Sequence, residues 1–292
     1  MKVAGFTFIR NAVKNDYPIV EAILSILPLC DEFIVALGNS DDDTERLIRD
    51  IDSPKIRIIN TVWDESIKEG GAVFAQETDK AYAAISPDTD WAFYIQGDEC
   101  LHEKYLEIVK REMEAYLNDE KIEGLLFKYL HFYASFDFIA SSRRWYRNEI
   151  RVLRYGNGIH SYRDAQGFRK NGRKLKVKLI DAYIYHYGWV KPPKGLINKV
   201  RNFNQFYTNE PFAINQIAED SEFDYGNAHR LLRFEESHPA VMQKRVSTCN
   251  WKFSVDPTTL KNKMSTRYRV LQKLEDLTGW RIGEYKNYKK LS

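Results

Sequence analysis

Two adjacent carboxylates follow an apolar segment near the middle of the chain. Residues 91–95 read WAFYI, and Gln96-Gly97 separates them from Asp98 and Glu99. The apolar run predicts a buried strand, and the ligands of open α/β sheets bind outside the carboxyl ends of such strands. Hard carboxylate oxygens at that place suit Mg²⁺ or Mn²⁺ that holds a diphosphate. The alternative is a solvated turn, because short acidic motifs also recur by chance.

The charges of the chain are unevenly distributed. Residues 1–142 carry 14 basic and 27 acidic side chains, whereas residues 143–178 carry 12 basic and 2 acidic ones. The basic segment favours an anionic partner, and guanidinium groups bind phosphate bidentately. Arg151, which lies in a predicted strand, is the first candidate for such a contact. The other candidates are Arg143, Arg144 and Arg147. The alternative is a solvated basic face, or a face that meets an anionic acceptor or lipid headgroups.

The two acids of this basic segment are Glu149 and Asp164. A carboxylate among so many cations is stabilised as the anion, so either residue is a candidate general base. Asp164 is favoured, because the surrounding RDAQGF is polar and contains a glycine, as a loop beside a binding site would. Glu149 lies inside WYRNEIRV and is more readily explained by structure. For both acids the alternative is simple pairing with neighbouring arginines.

The apolar pattern alternates strands with helices at the start of the chain. It predicts strands at 3–9, 33–37, 56–59 and 91–95, with amphipathic helices between them. This alternation predicts an α/β fold, with a mainly parallel sheet flanked by helices. Further strands are expected at 125–132 and 183–187, and helices at 194–207 and 266–277.

Several protein classes are disfavoured by what the sequence contains. Cys30, Cys100 and Cys249 are scattered without a CxxC pair, which argues against a disulfide framework or a zinc ribbon. We find no signal peptide or membrane span, so we expect a cytoplasmic protein, at most peripheral on the inner face of the membrane. No P-loop, no GxGxxG after a strand and no Ser-His-Asp order is present. ATP hydrolysis and hydride transfer are disfavoured accordingly.

With these features in place, residues 1–190 resemble the family-2 glycosyltransferases of the GT-A (Rossmann-like) fold. The resemblance rests on four features in the family's order: Arg10-Asn11 after the first strand, the NSDDDT turn at 39–44, the helix after Gly70-Gly71, and the strand that ends in QGDE. The later segments RRWYRNEIRVLR, SYRDAQGFRKNGRKLKV and IYHYGWVKPP look similar to a bacterial subgroup that assembles cell-surface polysaccharides.

The resemblance implies a sugar transfer from a nucleoside-diphosphate sugar to an acceptor hydroxyl, inverting and dependent on Mn²⁺ or Mg²⁺. It implies a metal site at Asp98, Glu99 and His186, although His186 on its own is more simply a core histidine bonded to a carbonyl. The implied residues for the donor are Arg10, Asn11, Asp42, Gln96, Asp98 and Arg151. Gln96 stands where the family usually has an acid, so metal binding rests on Asp98. Leu37 stands where an aspartate often reads the base, and Asp41, Asp42 or Asp43 is its expected substitute.

The resemblance also suggests an organisation in three parts. Residues 1–122 would bind the donor, residues 123–190 would form the acceptor half of the same domain, and residues 191–292 would be a mostly helical extension that begins after Pro192-Pro193. Residues 261–292 carry nine basic and three acidic side chains. We therefore expect a glycan or lipid-linked acceptor and peripheral contact with an anionic membrane, the alternative being a plain helical cap.

Two other functions compete with sugar transfer. A nucleotidyltransferase that makes nucleotide-sugars would need a glycine-rich loop after the first strand, where this chain has residues 10–13, RNAV. A nucleic-acid-binding protein would use the basic and aromatic segment 143–178. The acidic first half argues against that partner, because its field would repel a polyanion. We therefore expect no nucleic acid to bind.

Overall fold

A computed structural model describes residues 1–204, 206–207, 223, 225, 230–251, 253 and 265–291. The remainder of the predicted C-terminal extension lies outside the described residues, as do residue 205 of the predicted helix 194–207 and the start of the basic segment 261–292. None of the helices in the described ranges combines the length and apolar character needed to cross a bilayer.

The first half alternates strands and helices as the sequence predicts. Its elements are β1 (Val3–Ile9), α1 (Ile19–Ile26), β2 (Glu32–Gly38), α2 (Thr44–Arg49), β3 (Ile56–Thr61), α3 (Ala72–Ala83), β4 (Trp91–Tyr94), β5 (Glu99–Leu101) and α4 (Leu106–Ala115). Strands β3, β2, β1 and β4 lie side by side in that order, all parallel. Strands β1, β2 and β4 are largely apolar and buried, as expected where helices cover both faces of a parallel sheet.

The second half extends the same sheet. Its elements are β6 (Gly124–Tyr133), β7 (Phe138–Ala140), β8 (Asn148–Arg154), β9 (Ile159–Tyr162), β10 (Gly167–Lys170), β11 (Arg173–Lys174), β12 (Lys176–Trp189), α5 (Pro193–Asn204), β13 (Leu231–Arg233), α6 (Gln243–Ser247), α7 (Thr266–Thr278) and β14 (Lys289–Lys290). Strand β8 lies antiparallel between β4 and β6, and β6 is parallel to β12. The sheet therefore continues across the predicted boundary at residue 122.

Two apolar layers enclose the sheet. Alternation along β1 sends Val3 and Ile9 to the layer that contains α1, and Ala4 and Phe6 to the layer that contains α3. The expected α/β fold class, a mainly parallel sheet flanked by helices, is confirmed. The extension is less purely helical than expected, because β13 pairs with β7 and β14 pairs with β12.

The pairing of β5 with β12 brings distant residues to one place. These strands are antiparallel, with Glu99 opposite His186, and the Tyr187 N–H donates to the carbonyl of Asp98 at 2.8 Å. On its other side β12 pairs with β6, where His186 lies opposite His131. This register fixes the backbone on both sides of Asp98.

Candidate active site

An open cavity of about 620 Å³ lies at the carboxyl ends of the parallel strands. Residues that follow β1, β2, β3 and β4 line it, together with the segment before β8, the tip of the β9–β10 hairpin and residues after α5. Its polar lining residues are Arg10, Asn11, Lys14, Asn15, Asp41, Gln96, Asp98, Arg144, Asp164, Gln166 and Tyr207. The place is the one expected for a ligand in an open α/β sheet.

Asp98 contacts two basic side chains at the edge of this cavity. Its Oδ2 accepts a hydrogen bond from Lys199 Nζ at 3.1 Å and lies 3.8 Å from His186 Nε2. Burial alone would raise the pKa of Asp98, but the Lys199 ammonium outweighs it and holds the pKa well below the ordinary value. Asp98 is therefore a carboxylate anion at neutral pH.

A hydrogen-bonded relay orients His186. The Tyr146 carbonyl can only accept, so His131 donates to it from Nε2 at 2.8 Å. His131 Nδ1 then accepts from His186 Nδ1 at 3.1 Å. Burial lowers the pKa of both imidazoles. In its neutral form, His186 then carries its remaining lone pair on Nε2, the atom nearest Asp98.

Two of the three predicted metal ligands, Asp98 and His186, lie close enough together to hold the implied divalent cation. Asp98 Oδ2 and His186 Nε2 converge above Gly188, where a Cβ would lie 2.5 Å from the oxygen and 2.8 Å from the nitrogen. Any residue other than glycine at position 188 would fill the space between these two atoms. Among the described residues no group of three His, Cys, Asp or Glu side chains could hold a metal. A cation here would take its other ligands from a diphosphate and water, as Mg²⁺ commonly does.

Glu99 and Arg151, predicted for the metal and the phosphate, form an ion pair in the core. Arg151 binds the Glu99 carboxylate through two nitrogens, at 2.8 and 2.7 Å, and neither side chain is exposed. Glu99 also accepts from Tyr129 Oη and from the Gln96 N–H. Neither residue lines the cavity. The positions of these residues therefore do not support the predicted roles of Glu99 at the metal and of Arg151 at the phosphate, because the two charges neutralise each other in the core.

Besides Asp98, three of the predicted donor-binding residues line the cavity: Arg10, Asn11 and Gln96. Asn11 Oδ1 accepts the Asp41 N–H at 3.0 Å, and Gln96 Nε2 donates to the Ala165 carbonyl at 3.3 Å. The Arg10 guanidinium pairs with Glu65 at 2.9 Å and lies over the Trp63 ring. These contacts hold polar groups at the ends of β1 and β4.

Asp42, which was expected to contact the donor, does not line the cavity. Its carboxylate accepts the N–H groups of Thr44 and Lys14, at 3.0 and 2.9 Å, and so closes the turn before α2. Asp41, the expected alternative, lines the cavity instead. Its pKa is lowered by a hydrogen bond from Lys14.

The cations that reach the cavity differ from the one favoured by the sequence. Arg144 and Lys14 line it, whereas Arg143 and Arg147 pair with Glu275 and Glu284 near the C-terminus. Sequence reasoning included Arg144 among four candidates and missed Lys14. Lys14 stands four residues after Arg10 in a polar loop, a signal that could have identified it.

Lys199 and His131, which contact Asp98 and His186, were also missed. His131 is an imidazole inside the mostly apolar run LLFKYLHFY, and Lys199 had no comparable signal.

Asp164 stands at the tip of the β9–β10 hairpin and lines the cavity. Its neighbours Arg163 and Ala165 have φ values of 58° and 62°, a left-handed conformation that non-glycine residues rarely adopt. Such strain is often found at functional sites. The carboxylate accepts from Tyr207 Oη at 3.2 Å. At Gly71 a Cβ would lie 2.8 Å from the Asp164 Cβ, so glycine is required for this approach.

Glu149 is buried outside the cavity. Burial, only partly offset by Arg151, raises the pKa of Glu149 from 4.5 to about 8. Its Oε2 has no hydrogen-bond partner within the described residues. The prediction that Glu149 is a candidate base is therefore not supported by its position, since an acceptor in the cavity cannot reach a group in the core.

Much of the basic segment 143–178 is engaged within the protein. Arg154 donates to four backbone carbonyls near the end of α4, and Arg173 binds the Glu123 carboxylate at 2.6 and 2.7 Å. Arg169 donates to the carbonyls of Phe168 and Asn287. These contacts, with those of Arg143, Arg147 and Arg151, leave fewer cations for a polyanion and weaken the nucleic-acid alternative.

Comparison with known proteins gives similarity to solved structures alone. No family model and no curated protein matches the chain. Glucosyl-3-phosphoglycerate synthase from Mycobacterium tuberculosis, in complex with Mn²⁺, UDP and phosphoglyceric acid, is 21% identical with a TM-score of 0.31, over 44% of this chain and 43% of that one. S. aureus TarS 1-349 in complex with UDP is 14% identical with a TM-score of 0.41, over 69% and 64%. The matches thus span less than two thirds of each of these two neighbours, and at such scores they assign no activity.

Proposed function

We propose that the protein is a GT-A-type glycosyltransferase that moves a sugar, hexose-like in size, from a nucleoside diphosphate to an acceptor hydroxyl. The observation that carries this proposal is the cavity at the carboxyl ends of β1 and β4. It presents Asp98 and Asp164 to a ligand, together with the cations Arg10, Lys14 and Arg144. The order of motifs that resembles family-2 glycosyltransferases supports the same function.

The donor diphosphate would lie against the cationic side chains. Arg144 and Arg10 present guanidinium groups that match phosphate oxygens, and Lys14 adds a point charge. Asp98 and His186 would hold the divalent cation. When bound, that cation neutralises charge on the departing diphosphate. The polar side chains of Asn11 and Asp41 at the ends of β1 and β2 would contact the nucleoside.

Asp164 would be the general base of an inverting transfer. The acceptor oxygen bonds to the anomeric carbon as the bond from that carbon to the diphosphate oxygen breaks, and the acceptor proton passes to Asp164. The nucleoside diphosphate leaves with the electron pair. The hydrogen bond from Tyr207 orients the carboxylate. The acceptor would be a glycan or a lipid-linked saccharide, in keeping with cell-surface polysaccharide synthesis.

Ligand-induced thermal stabilisation tests the donor site. A ligand that binds only the folded state raises the melting temperature. We expect stabilisation by one or more members of a panel of nucleoside diphosphates and nucleotide-sugars, increased by MnCl₂. Asp98→Asn should remove the MnCl₂-dependent part and keep the fold. Asp181→Asn, which alters an exposed carboxylate on β12, is the matched control. Stabilisation by RNA or DNA and by no nucleotide would contradict the proposal.

A further inference from the structure

Lys199 occupies the place from which a cation would approach Asp98. It lies on α5, 101 positions along the chain from Asp98. Its ammonium donates to Asp98 Oδ2 at 3.1 Å and to the Gly188 carbonyl at 2.9 Å. Both side chains of this ion pair are largely buried, with 14% and 13% of their surface exposed. A charge-assisted hydrogen bond with so little solvent is stronger than a surface ion pair.

The same carboxylate oxygen is the one that a divalent cation needs. Oδ2 of Asp98 lies 3.8 Å from His186 Nε2, a ring nitrogen that can coordinate a metal in the neutral imidazole. A Cβ at Gly188 would lie within 3.0 Å of Oδ2, of His186 Nε2 and of Lys199 Nζ. The three groups thus surround one small space. An ammonium and a divalent cation cannot share it, because like charges at this separation repel strongly where water is scarce.

We propose that Lys199 is an internal competitor for the divalent cation at Asp98. In the free protein its ammonium neutralises Asp98, and it leaves this oxygen when a divalent cation binds. It stays tethered to α5 and close to Tyr17, whose ring lies 5.1 Å away and lines the cavity. The proposal rests on the assignment of Asp98 and His186 as the cation site in the proposed function.

Direct measurement of Mn²⁺ binding without nucleotide tests this competition. The paramagnetic resonance signal of free Mn²⁺ reports binding independently of any transfer activity. Lys199→Met should bind Mn²⁺ at least tenfold tighter than the wild type, since a hydrogen bond to a charged group is worth a factor of about ten to a hundred. Lys194→Met removes an exposed charge from the same helix and should bind as the wild type does. Asp98→Asn should not bind.

Three results would overturn the proposal: equal or weaker Mn²⁺ binding by Lys199→Met, an equal gain in Lys194→Met, or no Mn²⁺ binding by any variant. Thermal melting without metal checks that each variant folds, and Lys199→Gln replaces Lys199→Met if the latter does not. Nucleoside-diphosphate binding by the wild type distinguishes a failure of the competitor proposal from a failure of the proposed function. If it persists while Lys199→Met shows no gain, the competitor proposal alone is wrong. If the wild type binds no nucleoside diphosphate, the proposed function fails.

Discussion

Glu99 and Arg151 form a bidentate ion pair at 2.7 and 2.8 Å in the centre of the protein, with neither side chain exposed. The Arg151 guanidinium also lies 5.2 Å from the Tyr94 ring and 5.3 Å from the Tyr129 ring. Removing one partner would leave the other charge buried and unpaired. The pair therefore contributes to the stability of the fold beneath the cavity, and Asp98 alone of the two adjacent acids lines that cavity.

Arg151→Met should lower the free energy of unfolding by about 3–5 kcal/mol, because a buried carboxylate loses its counterion. Chemical denaturation measures this loss. The double variant Glu99→Gln with Arg151→Met should be less destabilised than the sum of the single variants, since it leaves no unpaired charge. Additive effects, or a loss below about 1 kcal/mol for Arg151→Met, would contradict the importance of the pair.

Asp164→Asn should keep nucleoside-diphosphate binding and lower transfer by about 10² to 10⁴-fold, the usual contribution of a general base. Release of nucleoside diphosphate in the presence of acceptor measures transfer. Asp88→Asn, which alters an exposed carboxylate paired with Lys2, is the control and should leave turnover unchanged. Near-normal turnover in Asp164→Asn would leave the inverting mechanism without a base at this hairpin.

Glu149 should make the stability of the protein dependent on pH. Its pKa is raised by burial from 4.5 to about 8. The stabilisation of the neutral form is therefore complete below pH 4.5 and is lost as the pH rises through 8. Relative to Glu149→Gln, the wild type should lose about 1.4 kcal/mol per pH unit between roughly pH 5 and 7.5. Parallel pH profiles of unfolding free energy for the two proteins would show that Glu149 is ionised when folded.

The surface near the C-terminus tests the expected membrane contact. Leu277, Trp280 and Tyr285 are 84%, 67% and 61% exposed, whereas Tyr288 is buried and β14 pairs with β12. We expect binding to vesicles that contain phosphatidylglycerol, weakened by Leu277→Ser with Trp280→Ser. Vesicles of phosphatidylcholine alone are the control. Unchanged binding in the double variant would indicate that this surface is only a cap on the fold.

The order of strands and helices in the first half is readable from the sequence, because each element depends on local patterns. Strand β1 has the predicted bounds, and the other three predicted strands of that half agree to within two residues. Local signals also place Arg10, Asn11, Gln96 and Asp98 at strand ends, where the carboxyl edge of a parallel sheet brings them to one cavity. The sequence alone therefore determined the fold class and the strand-end part of the site.

Tertiary structure decided which of the neighbouring charges lines the cavity. Asp98 and Glu99 are adjacent in the chain, yet one lines the cavity and the other lies buried against Arg151, 52 positions away. Similarly, His186 and Lys199 reach Asp98 only because β12 pairs with β5 and α5 follows it. Ion pairs and strand register between distant segments depend on packing across the whole sheet, and no local pattern in the sequence encodes them.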